Sequence, residues 1–210
     1  MGTTLQETPS GNRLHIGIFG KTNSGKSAFI NAFSGQAVSI VADVKGTTTD
    51  PVYKAMEIAP LGPCVLIDTA GFDDEGELGA MRMEKTALAA QKTELALILF
   101  ASEDMETELE WFRYFQEKKT PVIPVVSKSD LRSEKENQTF AEKLREQTKE
   151  KVCIVSAKTG VGIAELKERM IRMVPEGFGS RTITGDLVSE GDVVLLVMPQ
   201  DIQAPKGRLI

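Results

Sequence analysis

Cysteine and histidine are scarce in this sequence: its 210 residues include two cysteines and one histidine. Cys64 and Cys153 both lie in apolar, strand-like runs, and their separation does not match metal-site spacing, so we expect buried free thiols. His15 opens an apolar run and has no companion at ligand spacing, which favours a packing role or a place at a strand edge. These residues argue against a Cys/His metal site and fit a reducing compartment.

Positive charge and long apolar runs are also lacking. The net charge of −5 and the isoelectric point near 5.1 argue against a nucleic-acid-binding surface over the whole domain, although a local basic patch stays open. No apolar stretch approaches the length of a membrane span. Residues 1–13 lack the apolar core of a secretory signal and are expected to be a disordered lead-in, and Gly2 followed by Gln6 is a poor match to a myristoylation signal. We therefore expect a cytoplasmic protein that binds neither membrane nor nucleic acid.

The sequence does contain a regular alternation of short apolar runs and amphipathic segments. This alternation predicts an α/β fold of three layers, with a mainly parallel sheet between helices on both faces. Residues 34–50 are expected to form a loop. The predicted strands are 14–20, 51–58, 63–69, 94–100, 121–127 and 151–156, and the predicted helices are 27–33, 78–91, 107–118, 135–149 and 162–174.

Two of these segments carry more detailed expectations. On the helix at 78–91, Met81, Leu88 and Ala89 recur at helical spacing. Pro124 within the strand at 121–127 suggests a position where the backbone donor is unpaired. Because ligands bind outside the carboxyl ends of strands in parallel sheets, residues that follow the predicted strands are the candidates for a binding site.

The segment Gly20 to Ser27, GKTNSGKS, follows a strand and opens a helix, as a phosphate-binding loop requires. Its glycines allow backbone N–H groups to turn toward a phosphate, and the helix N-terminus adds its positive end. Lys26 would bridge the β- and γ-phosphates, and the Ser27 hydroxyl would bind Mg²⁺. The predicted nucleotide-binding residues here are Asn23, Ser24, Gly25, Lys26, Ser27 and Ala28. The alternative is a glycine-rich turn without a ligand.

Two further segments add candidates for the phosphate end of the site. Asp68 ends a predicted strand and can hold Mg²⁺ through a water, while the Gly71 amide can meet a γ-phosphate. Thr47 or Thr48 in the GTTTD segment could complete the magnesium shell when a γ-phosphate is present, which would make that loop a switch. A β-branched lead into the next strand is the alternative for these threonines. Lys26, Thr48 and Gly71 are the candidate catalytic residues.

The base of a nucleotide has its own candidates at two later strand ends. Asp130 can accept two hydrogen bonds from guanine N1–H and N2–H₂, which adenine cannot supply. The aliphatic stem of Lys128 can cover the base plane, and the Ala157 amide can donate to guanine O6. Ser156 and Lys158 complete the predicted base-binding set. Solvated charged loops are the alternative for both segments.

The five segments GKTNSGKS, GTTTD, DTAG, SKSD and SAK, in this order, resemble the signatures of translation-factor-related GTPases. The phosphate loop and GTTTD look most like the tRNA-modification GTPase group. Residues 39–58 and the C-terminal run GDVVLLVMPQDIQAPKGRLI resemble the HydF family of [FeFe]-hydrogenase maturation GTPases.

The resemblance implies a P-loop NTPase (small G-protein) fold that binds GTP or GDP with Mg²⁺. It implies a GTPase domain over 14–174, a linker over 175–180 and an incomplete start of a dimerisation domain over 181–210. A homodimer and hydrogenase maturation partners are implied as well. Members of that family also carry a C-terminal iron–sulfur domain, whose Cys and His ligands do not occur here, so no cluster is expected in this chain.

Two departures from the family pattern change the expected chemistry. Ser127 stands where the base-reading signature has Asn, and its shorter side chain is expected to lose a tie to the phosphate loop and to weaken affinity. Phe72 stands where Ras-like enzymes carry a water-orienting glutamine. Relatives with an apolar residue there are activated by potassium with an asparagine ligand, so the resemblance implies K⁺ at Asn23. The acidic run 73–77 offers no convincing water-orienting residue, so slow hydrolysis is expected.

Several functions are compatible with this sequence. The first is a slow GTPase switch in hydrogenase maturation. The second is an interaction scaffold in which nucleotide binding matters and hydrolysis is incidental, and a tRNA-modification-type GTPase is a further variant. An ATPase is the third, and Asp130 argues against it because its carboxylate matches guanine.

Overall fold

The computed structural model describes residues 13–35, 40–44, 52–58, 61–69, 71 and 77–174. Seven strands and five α-helices lie within these residues. The strands are β1 Leu14–Phe19, β2 Ile40–Val44, β3 Val52–Ile58, β4 Gly62–Asp68, β5 Leu95–Phe100, β6 Val122–Val126 and β7 Cys153–Ile154. The helices are α1 Lys26–Gly35, α2 Glu77–Lys92, α3 Glu106–Glu117, α4 Glu134–Thr148 and α5 Ile163–Met173.

All seven strands form one sheet, in the order β2-β3-β4-β1-β5-β6-β7. β1 lies beside β4 and β5 and runs parallel to both, and β6 and β7 continue the parallel part. β3 is antiparallel to both of its neighbours. The predicted mainly parallel α/β sheet is confirmed.

Period-2 alternation along buried strands separates the core into two layers. On β5, Leu95, Leu97 and Leu99 face one layer, whereas Ala96, Ile98 and Phe100 face the other. The first layer packs against α1 and α5, and the second against α2, α3 and α4. A strand covered on both faces needs apolar residues at every position, which is why LALILF reads as a continuous apolar run.

Local sequence signals define the limits of α4. The Ser133 hydroxyl accepts from Glu136 N at 3.3 Å, and Glu136 Oε2 accepts from Ser133 N at 2.7 Å, which together form a capping box. The helix ends at Lys149, which adopts a left-handed conformation and donates its N–H to Arg145 O at 2.8 Å. Both ends therefore have partners for backbone groups that the helix itself leaves unpaired.

The sequence-based assignment of elements is wrong in three places. β2 lies within the segment expected to be a loop, because its pairing partner is β3 and strand pairing is a tertiary interaction. Leu88, expected on the apolar face of its helix, is 52% exposed, whereas Ala89 is buried. β7 pairs only over Cys153–Ile154, which is shorter than the predicted run.

That short pairing covers Val125 and Val126 of β6, so Pro124 lies beyond it, as its missing donor predicts.

Both cysteines are buried and free, as expected. Burial raises the pKa of the Cys64 thiol to about 12, so this thiol stays protonated at neutral pH. No helix among the described residues is both long enough and apolar enough to cross a bilayer. The chain divides into two compact units, Met1–Gly179 and Ser180–Ile210, and the described residues all belong to the first.

Candidate nucleotide-binding site

The phosphate loop connects the end of β1 to the start of α1. Gly25 has φ +94 and Asn23 has φ 61, two left-handed positions where glycine and asparagine are the residues best tolerated. The Lys26 ammonium donates to the carbonyls of Gly20 and Lys21, both at 2.8 Å. With 8% exposure, Lys26 lies in the middle of the loop, where a β-phosphate bound by the loop would meet its charge.

Ser27 and Asp68 meet beside this loop. The Ser27 hydroxyl donates to Asp68 Oδ2 at 2.9 Å, although 41 residues separate them in the chain. The register of β1 with β4 aligns Ile18 with Asp68, so the carboxylate lies next to the strand that leads into the loop. The structure therefore brings together the two predicted magnesium ligands.

Burial raises the pKa of Asp68, while the Ser27 hydrogen bond and the charges of Lys26 and Lys54 act to lower it. Hydroxyl and carboxylate oxygens are the hard donors that Mg²⁺ prefers. Within the described residues no cluster of three His, Cys, Asp or Glu side chains could hold a metal by itself. Mg²⁺ at Ser27 and Asp68 would need its other ligands from phosphate and water, which is its usual coordination in nucleotide sites.

Gly71 lies directly against the phosphate loop. A Cβ added to it would lie 2.7 Å from Thr22 Cα, so any larger residue would push the two segments apart. This close approach brings the segment after β4 against the phosphate loop, as the expected role of Gly71 requires. Thr47, Thr48 and Phe72, which carry the switch and water-orienting expectations, fall outside the described residues, as do residues 73–76 of the acidic run.

Asp130 and Ser156 meet at the other end of the site. The Ser156 hydroxyl donates to Asp130 Oδ1 at 2.7 Å, and that hydroxyl accepts in turn from Thr159 N at 3.2 Å. The hydrogen bond from Ser156 is the main cause that lowers the pKa of Asp130, with the charges of Lys158 and Lys128 in support. An ionised carboxylate accepts several hydrogen bonds, so Asp130 can accept from a guanine edge as well as from Ser156.

Lys128 joins the base end to the phosphate end. Its backbone is left-handed, with φ 53 and ψ 41. Its side chain crosses the phosphate loop, since a Cβ on Gly25 would lie 3.6 Å from Lys128 Cε. Ala157 is partly buried, and Lys158 is exposed beside Asp130. The candidate base-binding residues thus share one rim with the phosphate loop.

Ser127 corrects an expectation. Its hydroxyl donates to the Ser24 carbonyl at 2.8 Å, and both residues are buried. The loop after β6, residues 127–131, is called the base loop here. Its tie to the phosphate loop, which serine was expected to lose, is therefore present. It is possible with a short side chain because the end of β6 lies directly beside the loop.

Arg132 was not found from the sequence, yet it fixes the base loop. Its guanidinium donates to Ala101 O at 2.8 Å, to Ser127 O at 2.6 Å and to Asn137 Oδ1 at 3.1 Å. Asn137 in turn donates to Ser129 O at 2.8 Å. These bonds anchor the backbone on both sides of Lys128. In the sequence Arg132 is one charge before a charged helix, and no pattern distinguishes it.

Residues 15–128 match the family model described as 50S ribosome-binding GTPase. The chain belongs to this GTPase family. Residues 183–210 of the GTPase chain match the Hydrogen maturase F dimerization domain. The resemblances to a GTPase family and to the HydF family are thus confirmed, together with the P-loop GTPase fold.

Individual relatives of this GTPase agree with the family assignment. The tRNA modification GTPase MnmE of Endomicrobium trichonymphae is 31% identical over 166 residues, covering 76% of this chain and 35% of the relative. GTPase Der of Wolinella succinogenes is 33% identical over 195 residues, covering 87% of this chain and 40% of the relative. The chain therefore spans between 35% and 40% of the length of these two curated relatives.

Solved structures support the fold of the GTPase. The crystal structure of Aquifex aeolicus Era bound to GDP and aluminium fluoride superposes with a TM-score of 0.65 at 25% identity, covering 78% of this chain and 57% of that chain. The G domain of the FeoB iron transporter of T. maritima shares the fold at a TM-score of 0.56 and 20% identity, covering 78% of this chain and 99% of that domain.

Proposed function

We propose that this GTPase is a slow, potassium-stimulated switch that acts in [FeFe]-hydrogenase maturation. The observation that carries the maturation role is the match of residues 183–210 to the Hydrogen maturase F dimerization domain, directly after the GTPase domain. The same match supports a homodimer as the functional form. Hydrogenase maturation proteins would then be the partners that respond to the nucleotide state.

The site geometry supports the roles proposed for individual residues. Lys26 neutralises charge on the β- and γ-phosphates from its central place in the loop. Ser27 and Asp68 would hold Mg²⁺, which neutralises phosphate charge when it is bound. Gly71 and Thr48 would meet the γ-phosphate, so the segments that carry them respond to hydrolysis. Asp130, held by Ser156, selects guanine.

Potassium is proposed at Asn23. This residue is exposed on the phosphate loop next to the buried Ser24. Its backbone is left-handed, a conformation that asparagine adopts with little strain. A K⁺ ion there would add positive charge near the phosphates, where other GTPases use an arginine. The test is GTP turnover in KCl and in NaCl at matched ionic strength.

Replacing Asn23 with Gly isolates the side chain, because glycine adopts positive φ without strain. We expect potassium to stimulate the wild-type protein and to have little effect on Asn23→Gly, while both proteins still bind GDP. Equal turnover of the wild-type protein in the two salts would refute the potassium role. That result would not count against GTP binding.

The maturation role is tested in a host that lacks its own maturation GTPase. Hydrogen evolution should return with the gene that encodes this chain and stay low with a Lys26→Ala variant. A Thr48→Ala variant that still binds GTP separates the switch from a scaffold, because the scaffold needs binding and does not need the switch. Full maturation with Thr48→Ala would favour the scaffold, and no recovery with the wild-type gene would count against a maturation role.

A role in tRNA modification is the second candidate, since relatives named tRNA modification GTPase match the GTPase region. The content of modified nucleosides in tRNA from a strain without this gene tests it. A change in that content with normal hydrogenase activity would favour this candidate over maturation.

A further inference from the structure

Helix α3 is attached to the beginning of the phosphate loop. Phe19, the last residue of β1, stacks on Trp111 of α3 with ring centroids 5.7 Å apart and an interplanar angle of 17°. Phe115, also on α3, packs against the Phe19 ring with the two ring centroids 4.9 Å apart. Since Phe19 directly precedes Gly20, the loop begins from a residue that α3 holds in place.

Lys21, two residues later, forms one ion pair with α3 and another with the segment that leads into it. Its ammonium lies 2.7 Å from Asp104 Oδ2 and 3.5 Å from Glu108 Oε2. Asp104 is largely exposed, whereas Glu108 is 1% exposed, so the two carboxylates are not equivalent. A surface ion pair contributes little, but a buried carboxylate is costly unless a partner compensates its charge.

The phosphate loop supplies part of that compensation for Glu108 through Lys21. Among the described residues, no hydrogen bond is formed to its Oε2 atom, and the Lys21 ammonium lies 3.5 Å from that atom. Burial raises the pKa of Glu108, whereas a hydrogen bond from its own backbone, the charge of Lys21 and a hydrogen bond from the Lys21 backbone act to lower it. The carboxylate and the loop residue therefore constrain each other.

The backbone of Lys21 is a central acceptor of the loop. Its carbonyl accepts from Lys26 Nζ at 2.8 Å and from Ser24 N at 3.1 Å. This carbonyl is one of the two that hold the Lys26 ammonium, the other being that of Gly20. A side chain that holds Lys21 thus affects the position of Lys26 without touching a nucleotide.

We propose that Glu108 is a positioning residue for phosphate binding, which acts by holding Lys21 and, through the Lys21 carbonyl, the ammonium of Lys26. The proposal rests on the nucleotide-binding role of Lys26. It also makes α3 an element whose displacement by a partner would be felt at the phosphates.

Glu108→Gln tests this directly, because it keeps the shape of the side chain and removes its charge. Glu110→Gln is the matched control, since Glu110 lies on the same helix and is exposed. GDP binding can be followed by the fluorescence of Trp111, which is the single tryptophan of the sequence and stacks beside the loop. We expect GDP to bind Glu108→Gln about tenfold more weakly, because Lys21 loses the charge that holds it against α3. Glu110→Gln should bind GDP as the wild type does.

A double-mutant cycle with Lys21→Met separates positioning from a general structural role. If Glu108 acts through Lys21, the double variant should bind GDP no more weakly than whichever single variant has the lower GDP affinity. Additive losses, or unchanged binding by Glu108→Gln, would overturn the proposal. Thermal melting checks that each variant is folded, and if Glu108→Gln does not fold, Lys21→Met decides, because wild-type affinity in that variant would also overturn it. A wild-type protein that binds no GDP would instead refute the proposed nucleotide site.

Discussion

Replacing Ser127 with alanine should weaken the binding of every guanine nucleotide while leaving the choice of base unchanged. The Ser127 hydroxyl donates to the Ser24 carbonyl at 2.8 Å, with the two residues 3% and 1% exposed. Removing the donor leaves a buried acceptor without this partner, which costs about 1–3 kcal/mol. Asp130, the residue proposed to read the base, is held by Ser156 and does not depend on this bond.

The size of the effect on affinity follows from what the bond connects. It joins the loop proposed to hold the base to the loop proposed to hold the phosphates. Without this bond, a nucleotide that contacts both loops must re-order them on binding. If about 1.4 kcal/mol of the lost free energy is felt in binding, GDP binds about tenfold more weakly. The melting temperature should also fall, by several degrees for a domain of this size.

Titration calorimetry of GDP in magnesium buffer measures this loss of affinity. Ser129→Ala is the matched control, because Ser129 lies in the same loop and its hydrogen bonds to Val155, Arg132 and Asn137 use backbone atoms. Ser127→Asn, which restores the usual residue of the base-reading signature, should bind GDP about as well as the wild type. Wild-type affinity and melting temperature in Ser127→Ala would show that the bond between the loops is not needed.

Two further predictions concern the carboxylates of the site. Asp130→Asn should shift the preference from guanine to xanthine nucleotides, because the amide presents a donor where guanine needs an acceptor. A competition assay with GDP and XDP measures this preference. An unchanged preference would argue against the base-reading role of Asp130. Asp68→Asn should abolish magnesium-dependent GTP binding and yet raise the melting temperature of the nucleotide-free protein at neutral pH. Burial raises the pKa of Asp68 above 3.8, so the fold favours the protonated form, and wild-type stability falls as the pH rises from 3.8 through the folded pKa. The difference in melting temperature between variant and wild type should therefore grow over that pH range and then level off, and a difference that does not change with pH would contradict it.

The sequence predicts the phosphate end of the site well, because its requirements are local. A strand, a glycine-rich turn and a helix start are all written within Leu14 to Ser27, and backbone conformation follows from residue type at Asn23 and Gly25. Asp68 is predicted to lie near Ser27 because parallel strands bring their carboxyl ends to one edge. These rules need no knowledge of side-chain packing.

The supporting contacts could not be predicted, because they depend on distances between segments far apart in the chain. Ser127 differs from the signature residue, and only the position of β6 beside the loop shows that a hydroxyl reaches Ser24. Arg132 and Glu108 look like ordinary surface charges in the sequence, yet one anchors the base loop and the other is buried against Lys21. Their roles follow from tertiary packing, which period and composition do not encode.

The parallel register that aligns Ile18 with Asp68 determines where insertions and deletions can be tolerated during evolution of this protein. Side chains of a strand alternate between the faces of the sheet, so one residue inserted into or deleted from β4 would turn Asp68 to the opposite face and separate it from Ser27. Length changes in the connections that lie away from the nucleotide would leave this alignment intact. Lengthening or shortening of the gene in this region should thus be confined to those connections, while the strand itself can change in composition but not in length.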